Sequence, residues 1–305
     1  MGIQHPPDGR ARQETVARQW CSMIGECYYR RMRTTNTEEE PLPKRVVVVG
    51  ASTGLGRCIG IGLARRGSTV ALLARRKDKI EEAATEAGEG TLAIACDVTD
   101  ELSCAAAIAE AAEAMGGIDT VVYAAAIGPL GRLQDADAAT WRATFDTNVV
   151  GASLMTAAAI PHLIESTGNM LFMSTTGASF TPPWPGLGVY QVTKAALDRL
   201  VEAWRAEHPG IRFTRVTIGE CGGGEGDAQS HFNETWDREL AMEFAPTWFA
   251  RGLMGTSLID VEHLVEMFDG LVHAGASMQV PSITLAPRPA IPQFDPAAGL
   301  AAVQS

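Results

Sequence analysis

No continuous apolar run in the sequence reaches the roughly 18 residues that a membrane-spanning helix needs, so no membrane association is expected. The first ten residues, MGIQHPPDGR, lack the apolar stretch of a signal peptide. None of the 6 cysteines (Cys21, Cys27, Cys58, Cys96, Cys104, Cys221) forms a C-x-x-C pair, and no histidine cluster flanks them. That argues against a zinc site; several of the cysteines sit in apolar runs, where a reduced cysteine behaves as a small core residue, and a reducing cytoplasm is expected. Basic residues are the minority, 25 against 36 acidic, for a net charge of -11. General affinity for nucleic acid or an anionic membrane is excluded, although a local basic spot can still hold a phosphate. Aromatic residues are sparse at 6%, and only 4 are tyrosines.

What the chain does have is apolar content: 46% hydrophobic and 20% charged residues suit a globule with a full core. The ends differ from the middle. Residues 1–43 are polar, carry four prolines, a basic stretch YYRRMR at 28–33 and the acidic run Glu38–Glu40. They read as a flexible extension with a short helix around 13–24; YYRRMR is either a partner contact or a solvated charge cluster. Residues 288–305, rich in proline and alanine, read as a loose tail.

Between them, 44–287 forms a regular alternation. Apolar strands are expected at 45–49, 69–74, 91–96, 119–126, 169–174, 212–218 and 278–286. Helices are expected at 55–66, 77–87, 100–115, 137–166 with a bend at Pro161, 188–207 and 261–274, and the stretch between 218 and 261 is irregular. Continuously apolar strands alternating with helices imply a doubly wound α/β fold. It would be one domain built on a parallel sheet of about seven strands, buried on both faces.

Ligands of such sheets bind beyond the carboxyl ends of the strands. After the first strand comes GASTGLG (50–56), opening a helix. Gly50, Gly54 and Gly56 permit unusual backbone angles. With Ser52, Thr53 and Leu55 they would offer helix-start N–H groups to a pyrophosphate. An ordinary glycine-rich turn is the plainer alternative. After the second strand stand Arg75 and Arg76, where an NAD site would carry an acidic group. Arginine there suits the 2′-phosphate of NADP, and a surface cluster at a helix start is the alternative. Asp97, followed by Val98, would accept from an adenine amino group or cap the next helix. Tyr190 and Lys194 are four residues apart on the helix at 188–207, which puts phenol and ammonium on one face.

The glycine-rich turn, Asp97, Asn148 in FDTNVVG, Ser174 and Thr175 at a strand end, and Y-x-x-x-K at 190–194 come in an order that resembles the short-chain dehydrogenase/reductase family, of the classical type. The resemblance covers roughly 44–287 and implies a Rossmann fold and a nicotinamide cofactor, NADP(H) before NAD(H). It further implies that Tyr190 is the general acid/base for a carbonyl/alcohol pair and that Lys194 lowers the phenol pKa and holds the nicotinamide ribose. A hydroxyl, from Ser174 or Thr175, would bind the substrate oxygen, and Asn148 would hold a water that links Lys194 to solvent. Ala125 and Gly219 would line the cofactor. A homodimer or homotetramer is implied through the helices at 137–166 and 188–207.

Three departures from the family pattern stand out. MSTTGA replaces a Ser-Ser stretch, and Tyr123-Ala-Ala-Ala replaces Asn-Asn-Ala-Gly. IGECGGGEG replaces Pro-Gly after the sixth strand, which puts Glu220 near the nicotinamide and implies a mobile gating loop. Trp184, Trp248 and Phe249 would form an apolar substrate wall, as for a hydrophobic ketone or secondary alcohol, or serve packing instead. Two other functions are kept open: a catalytically silent dinucleotide-binding sensor or scaffold, and an extended-type sugar-nucleotide epimerase.

Overall fold

The computed structural model describes residues 43–229, 232–255, 257–275 and 277–288. The readings made for the polar amino-terminal stretch and for the tail lie outside the described residues, Pro43 and Arg288 excepted. Seven strands form one sheet in the order β3-β2-β1-β4-β5-β6-β7: β1 (Arg45–Val49), β2 (Thr69–Ala74), β3 (Leu92–Ala95), β4 (Thr120–Tyr123), β5 (Asn169–Thr175), β6 (Arg212–Ile218) and β7 (Ser282–Leu285). Every neighbouring pair is parallel. The order reverses between β1 and β4, so a crevice opens beyond the carboxyl ends of these two strands.

The helices are α1 (Gly54–Arg65), α2 (Lys77–Ala87), α3 (Glu101–Met115), α4 (Ala138–Phe145), α5 (Gly151–Ser166), the single turn α6 (Thr176–Ser179), α7 (Gly188–Glu207), α8 (Arg238–Ala250) and α9 (Val261–Val272). Strand side chains alternate between two cores, as the pleat requires. Val47 and Val49 pack with α3, α5 and α7; Val46 and Val48 pack with α1, α2 and α9.

The structure departs from the sequence expectations at four places. The helical run expected at 137–166 carries Pro161 inside the continuous α5; its irregularity is a π-turn at Asp146–Val150. Such turns widen a helix and re-aim a side chain, and here the buried one is Asn148. The run Ala138–Ser166 is also long and apolar enough to cross a membrane by length and composition alone. Yet Ala152, Met155, Ala159 and Leu163 face the sheet, as in a core helix. The region read as irregular holds α8, which Asp237 caps by accepting from the amides of Glu239 and Leu240. Finally, β7 starts only after Pro281, which has no N–H for the ladder.

Tyr123, standing where asparagine was expected, is completely buried at the end of β4. Its hydroxyl donates to the carbonyl of Thr147 inside the π-turn at 2.5 Å. Burial holds its pKa far above the ordinary range, so it stays a neutral donor. Removing the hydroxyl leaves a buried carbonyl short of a partner, which costs about 1–3 kcal/mol. Tyr123→Phe is therefore expected to lower the melting temperature by several degrees in a calorimetric scan; an unchanged melt would show that the tether carries no stability.

Candidate active site

Three consecutive residues at the end of β5 face α7, and each meets a different residue of one helical row. The Met173 carbonyl accepts from Lys194 Nζ at 2.7 Å. Ser174 Oγ donates to Asp198 Oδ1 at 2.6 Å. The Thr175 hydroxyl faces the Tyr190 phenol and opposes the rise in its pKa. Tyr190, Lys194 and Asp198 are spaced i, i+4, i+8 and so line one face of α7. The choice between Ser174 and Thr175 is thereby structural: Ser174 is 5% exposed and turned to Asp198, whereas Thr175 faces the phenol.

The electrostatics differ from the simple expectation. Lys194 is buried, and desolvation draws its pKa down to about 8, with the Asp198 carboxylate opposing the fall. Burial raises the Tyr190 phenol above its usual value, and the nearby Thr175 hydroxyl opposes the rise. Lys194 is not among the groups that lower the phenol, since its own proton is lost first; its ammonium donates to the Met173 carbonyl. It lies 5.8 Å from the centre of the Tyr190 ring.

Asn148 uses its amide fully. Nδ2 donates to the Ile127 carbonyl and to Thr193 Oγ1, both at 2.9 Å, and Oδ1 accepts from the Ile127 amide. Thr193 Oγ1 in turn donates to the Tyr190 carbonyl. Asn148 thus ties the chain after β4 to α7.

Across the crevice, the turn between β1 and α1 is built to let another group close in. Gly50 has φ +86°, and a Cβ there would stand 2.5 Å from the Ala125 amide; one on Gly56 would stand 2.4 Å from the Gly50 carbonyl. No side chain caps α1 and no acidic residue sits in its first turn, a composition open to an anion. Ser52 is buried, Thr53, Leu55 and Ala125 are partly buried, and Gly54 has φ +62°. Arg76 reaches over this turn, donating to Ser52 Oγ and Thr53 Oγ1 at 2.9 Å each. Arg75 is exposed beside it and helps hold the Asp97 carboxyl below its usual range, after the amide and hydroxyl of Thr99. Val98 is buried. The residues present fit a dinucleotide: a turn whose Gly50 and Gly56 leave no room for a Cβ, an uncapped helix start and two cations.

The model of the short chain dehydrogenase family matches residues 44–235. The chain belongs to that family. It is 34% identical over 176 residues to human dehydrogenase/reductase SDR family member 4, a match covering 56% of this chain and 63% of that protein. Among solved structures, it is similar to a 3-ketoacyl-(acyl-carrier-protein) reductase from Brucella melitensis complexed with NADH. There the TM-score is 0.66 at 26% identity, over 80% of this chain and 96% of the other. An alcohol dehydrogenase from the archaeon Thermococcus sibiricus, complexed with 5-hydroxy-NADP, shares the fold with TM-score 0.67 at 23% identity. It covers 82% of this chain and 99% of its own. The chain spans less than two thirds of the length of the first curated relatives it matches.

Within this short chain dehydrogenase, the carboxyl end of β6 and the segment after it carry the chain's own features. The Gly219 amide donates to the Leu285 carbonyl at 2.8 Å. Glu220 accepts from the Gly255 amide through its carboxylate, so it pins a loop. Phe232 packs edge-on against the Tyr190 ring with centroids 4.8 Å apart. A Cβ on Gly128 would strike the Phe232 ring, so only glycine admits it there. Phe232 meets Trp236, Trp236 meets Trp248, and Trp248 meets Trp184 and Phe244. Both indole N–H groups are used on backbone, Trp236 on the Gly128 carbonyl and Trp248 on that of Pro185. Phe249, expected in this wall, is 55% exposed and stands outside it.

Sequence reasoning missed Phe232, Trp236, Phe244 and Asp198. The signals were there: Phe232, Trp236, Leu240, Phe244 and Trp248 recur every four residues, and Asp198 continues the Tyr190–Lys194 row. Because burial is the main cause of the raised phenol, Phe232→Ala is expected to bring the Tyr190 pKa down toward the ordinary tyrosine value. Ultraviolet titration against a Tyr190→Phe control reads this directly. A titration that does not move would show that Phe232 does not shield the phenol.

Proposed function

We propose that the protein is an NADP(H)-dependent oxidoreductase that interconverts a carbonyl and a secondary alcohol, with Tyr190 as general acid/base. The observation that carries the reading is the pairing of Tyr190 with Thr175 at the end of β5, one helical turn from a buried Lys194. When bound, the reduced nicotinamide supplies a hydride to the carbonyl carbon. The chain's own residues do the rest. Thr175 and Tyr190 hold the carbonyl oxygen between two hydroxyls, and Tyr190 gives that oxygen its proton as charge develops. A raised phenol pKa suits a residue that must start protonated. The proton is recovered from solvent, with Lys194 favouring the transient phenolate once its ammonium turns from Met173 toward the phenol. Asn148 keeps α7 and the chain after β4 in register while this happens.

Gly50, Ser52, Thr53, Gly54, Leu55 and Gly56 would hold the pyrophosphate, Asp97 and Val98 the adenine, and Ala125 and Gly219 the nicotinamide side. For the preference between cofactors, Arg76 is the stronger support, since it already lies against the turn; Arg75 adds charge. The substrate we infer is apolar next to its carbonyl, because the wall over Tyr190 is aromatic and the indole donors of Trp236 and Trp248 are taken. A reducing cytoplasm and a homodimer or homotetramer complete the reading. They are supported by four free thiols among the described residues and by exposed Val150 and Val192 on the π-turn and α7.

Fluorescence titration with NADPH and NADH tests the cofactor. Loss of a charge-assisted contact is worth about 1.5–3 kcal/mol, so Arg76→Ala is expected to weaken NADPH binding by roughly 10- to 100-fold and NADH binding far less. Equal weakening of both would refute the phosphate role, and binding of neither would defeat the dinucleotide-binding reading altogether. On a panel of aryl and alkyl ketones, Tyr190→Phe is expected to abolish turnover while cofactor binding persists; retained turnover would overturn the acid/base assignment.

A further inference from the structure

The buried carboxylate of Asp198 is the group left without a role by this chemistry. It is 6% exposed and stands one turn beyond Lys194 on α7. Its partners are all on hand: Ser174 Oγ at 2.6 Å, Ser179 Oγ at 3.3 Å and Arg215 Nη1 at 3.3 Å. A carboxylate is costly to bury and persists where donors and an opposite charge surround it. Here the donors come from three elements around α7, namely β5, α6 and β6. Serine alone would have tied β5 to α7. A charge at this place acts on whatever titrates nearby, and what lies nearby is Lys194.

We propose that Asp198 is a positioning residue for the proton chemistry, holding Lys194 in its ammonium form at the end of β5 through charge while Ser174 fixes the carboxylate beside it. This rests on the assignment of Lys194 to the nicotinamide ribose and the phenol. The charges around the ammonium make the assignment specific. Tyr190 and Asp198 share its helix. β6 contributes Arg215, which is paired with Asp198. β5 offers only Met173, Ser174 and Thr175, α6 offers Ser179, and the π-turn offers the neutral Asn148 inward. Among the described residues, Asp198 is the charge that shifts Lys194; Arg142 of α4 and Asp146 of the π-turn do not. Without it, desolvation acts on the lysine unopposed, and the ammonium loses its proton at lower pH. A dinucleotide that needs the ammonium would then bind well only on the acid side of that point.

The test is NADPH affinity, followed by nicotinamide fluorescence from pH 6 to 10, in the full-length protein and in Asp198→Asn. In the wild type, affinity is expected to fall as pH rises through about 8, where Lys194 deprotonates. In Asp198→Asn the fall is expected about one pH unit lower, with affinity below it restored. Asp198→Glu, which keeps the charge, is expected to keep the wild-type position. Circular dichroism confirms folding, and Asp198→Ser removes the same charge should the asparagine variant not fold. A folded variant whose affinity drops equally at every pH, with the fall in its original place, would reduce Asp198 to a structural tie and overturn the proposal. A wild type that binds NADPH with no fall near pH 8, or not at all, would instead defeat the assignment of Lys194 on which the proposal rests.

Discussion

The seam between the end of β5 and the first half of α7 is the constraint on which the site depends. Of three successive residues, the Met173 carbonyl and the Ser174 hydroxyl bond to Lys194 and Asp198, and Thr175 faces Tyr190. A strand alternates its side chains, so consecutive residues cannot all point at one helix. The seam meets this by mixing a backbone carbonyl with two hydroxyls, the last at the point where the strand ends. A slip of one residue along β5 would put Ser174 at the phenol and leave Asp198 buried without its closest donor. Register and chemistry are therefore the same property here. The sheet enforces it from the other side, since β5 is paired along its full length with β6.

The second element of the site, the turn from β1 to α1, depends on a different kind of constraint. It is defined by missing atoms: a Cβ on Gly50 or Gly56 would collide with backbone. Arg76 then closes the turn from the neighbouring strand end through two hydroxyls. Neutral hydroxyl contacts to a guanidinium are weaker than contacts to an anion. A phosphate arriving there gains more from Arg76 than Ser52 and Thr53 lose, which makes the turn both preorganised and exchangeable.

Much of this was legible in the sequence, and the limits were physical. Long periodic elements such as 77–87, 188–207 and 212–218 match their structural bounds, because strong patterns outweigh local noise. The π-turn was not legible: it adds one residue to a helical turn that propensity reads as plain helix. Nor was α8, because Pro246 and the glycines before it look like breakers, although Pro246 lies inside the formed helix. Tyr190 and Lys194 announced themselves by spacing. Which hydroxyl meets the phenol did not, since Ser174 and Thr175 differ only in the face each shows, and a strand's last residue obeys no strict alternation. Asp198 was passed over because an acidic residue on a helix is ordinarily solvated.

The direction of the Tyr190 shift links these levels. Burial under Phe232 raises the phenol, and burial also lowers the lysine meant to bring it down. Desolvation thus penalises charge on both partners at once, and a Tyr–Lys pair alone in this environment would drift toward two neutral groups. The fold counters this from opposite ends of the row: Thr175 opposes the rise of the phenol, and Asp198 opposes the loss of charge on the lysine. A site closed by aromatic rings therefore needs its own internal counter-charge, and α7 supplies it one turn past the lysine.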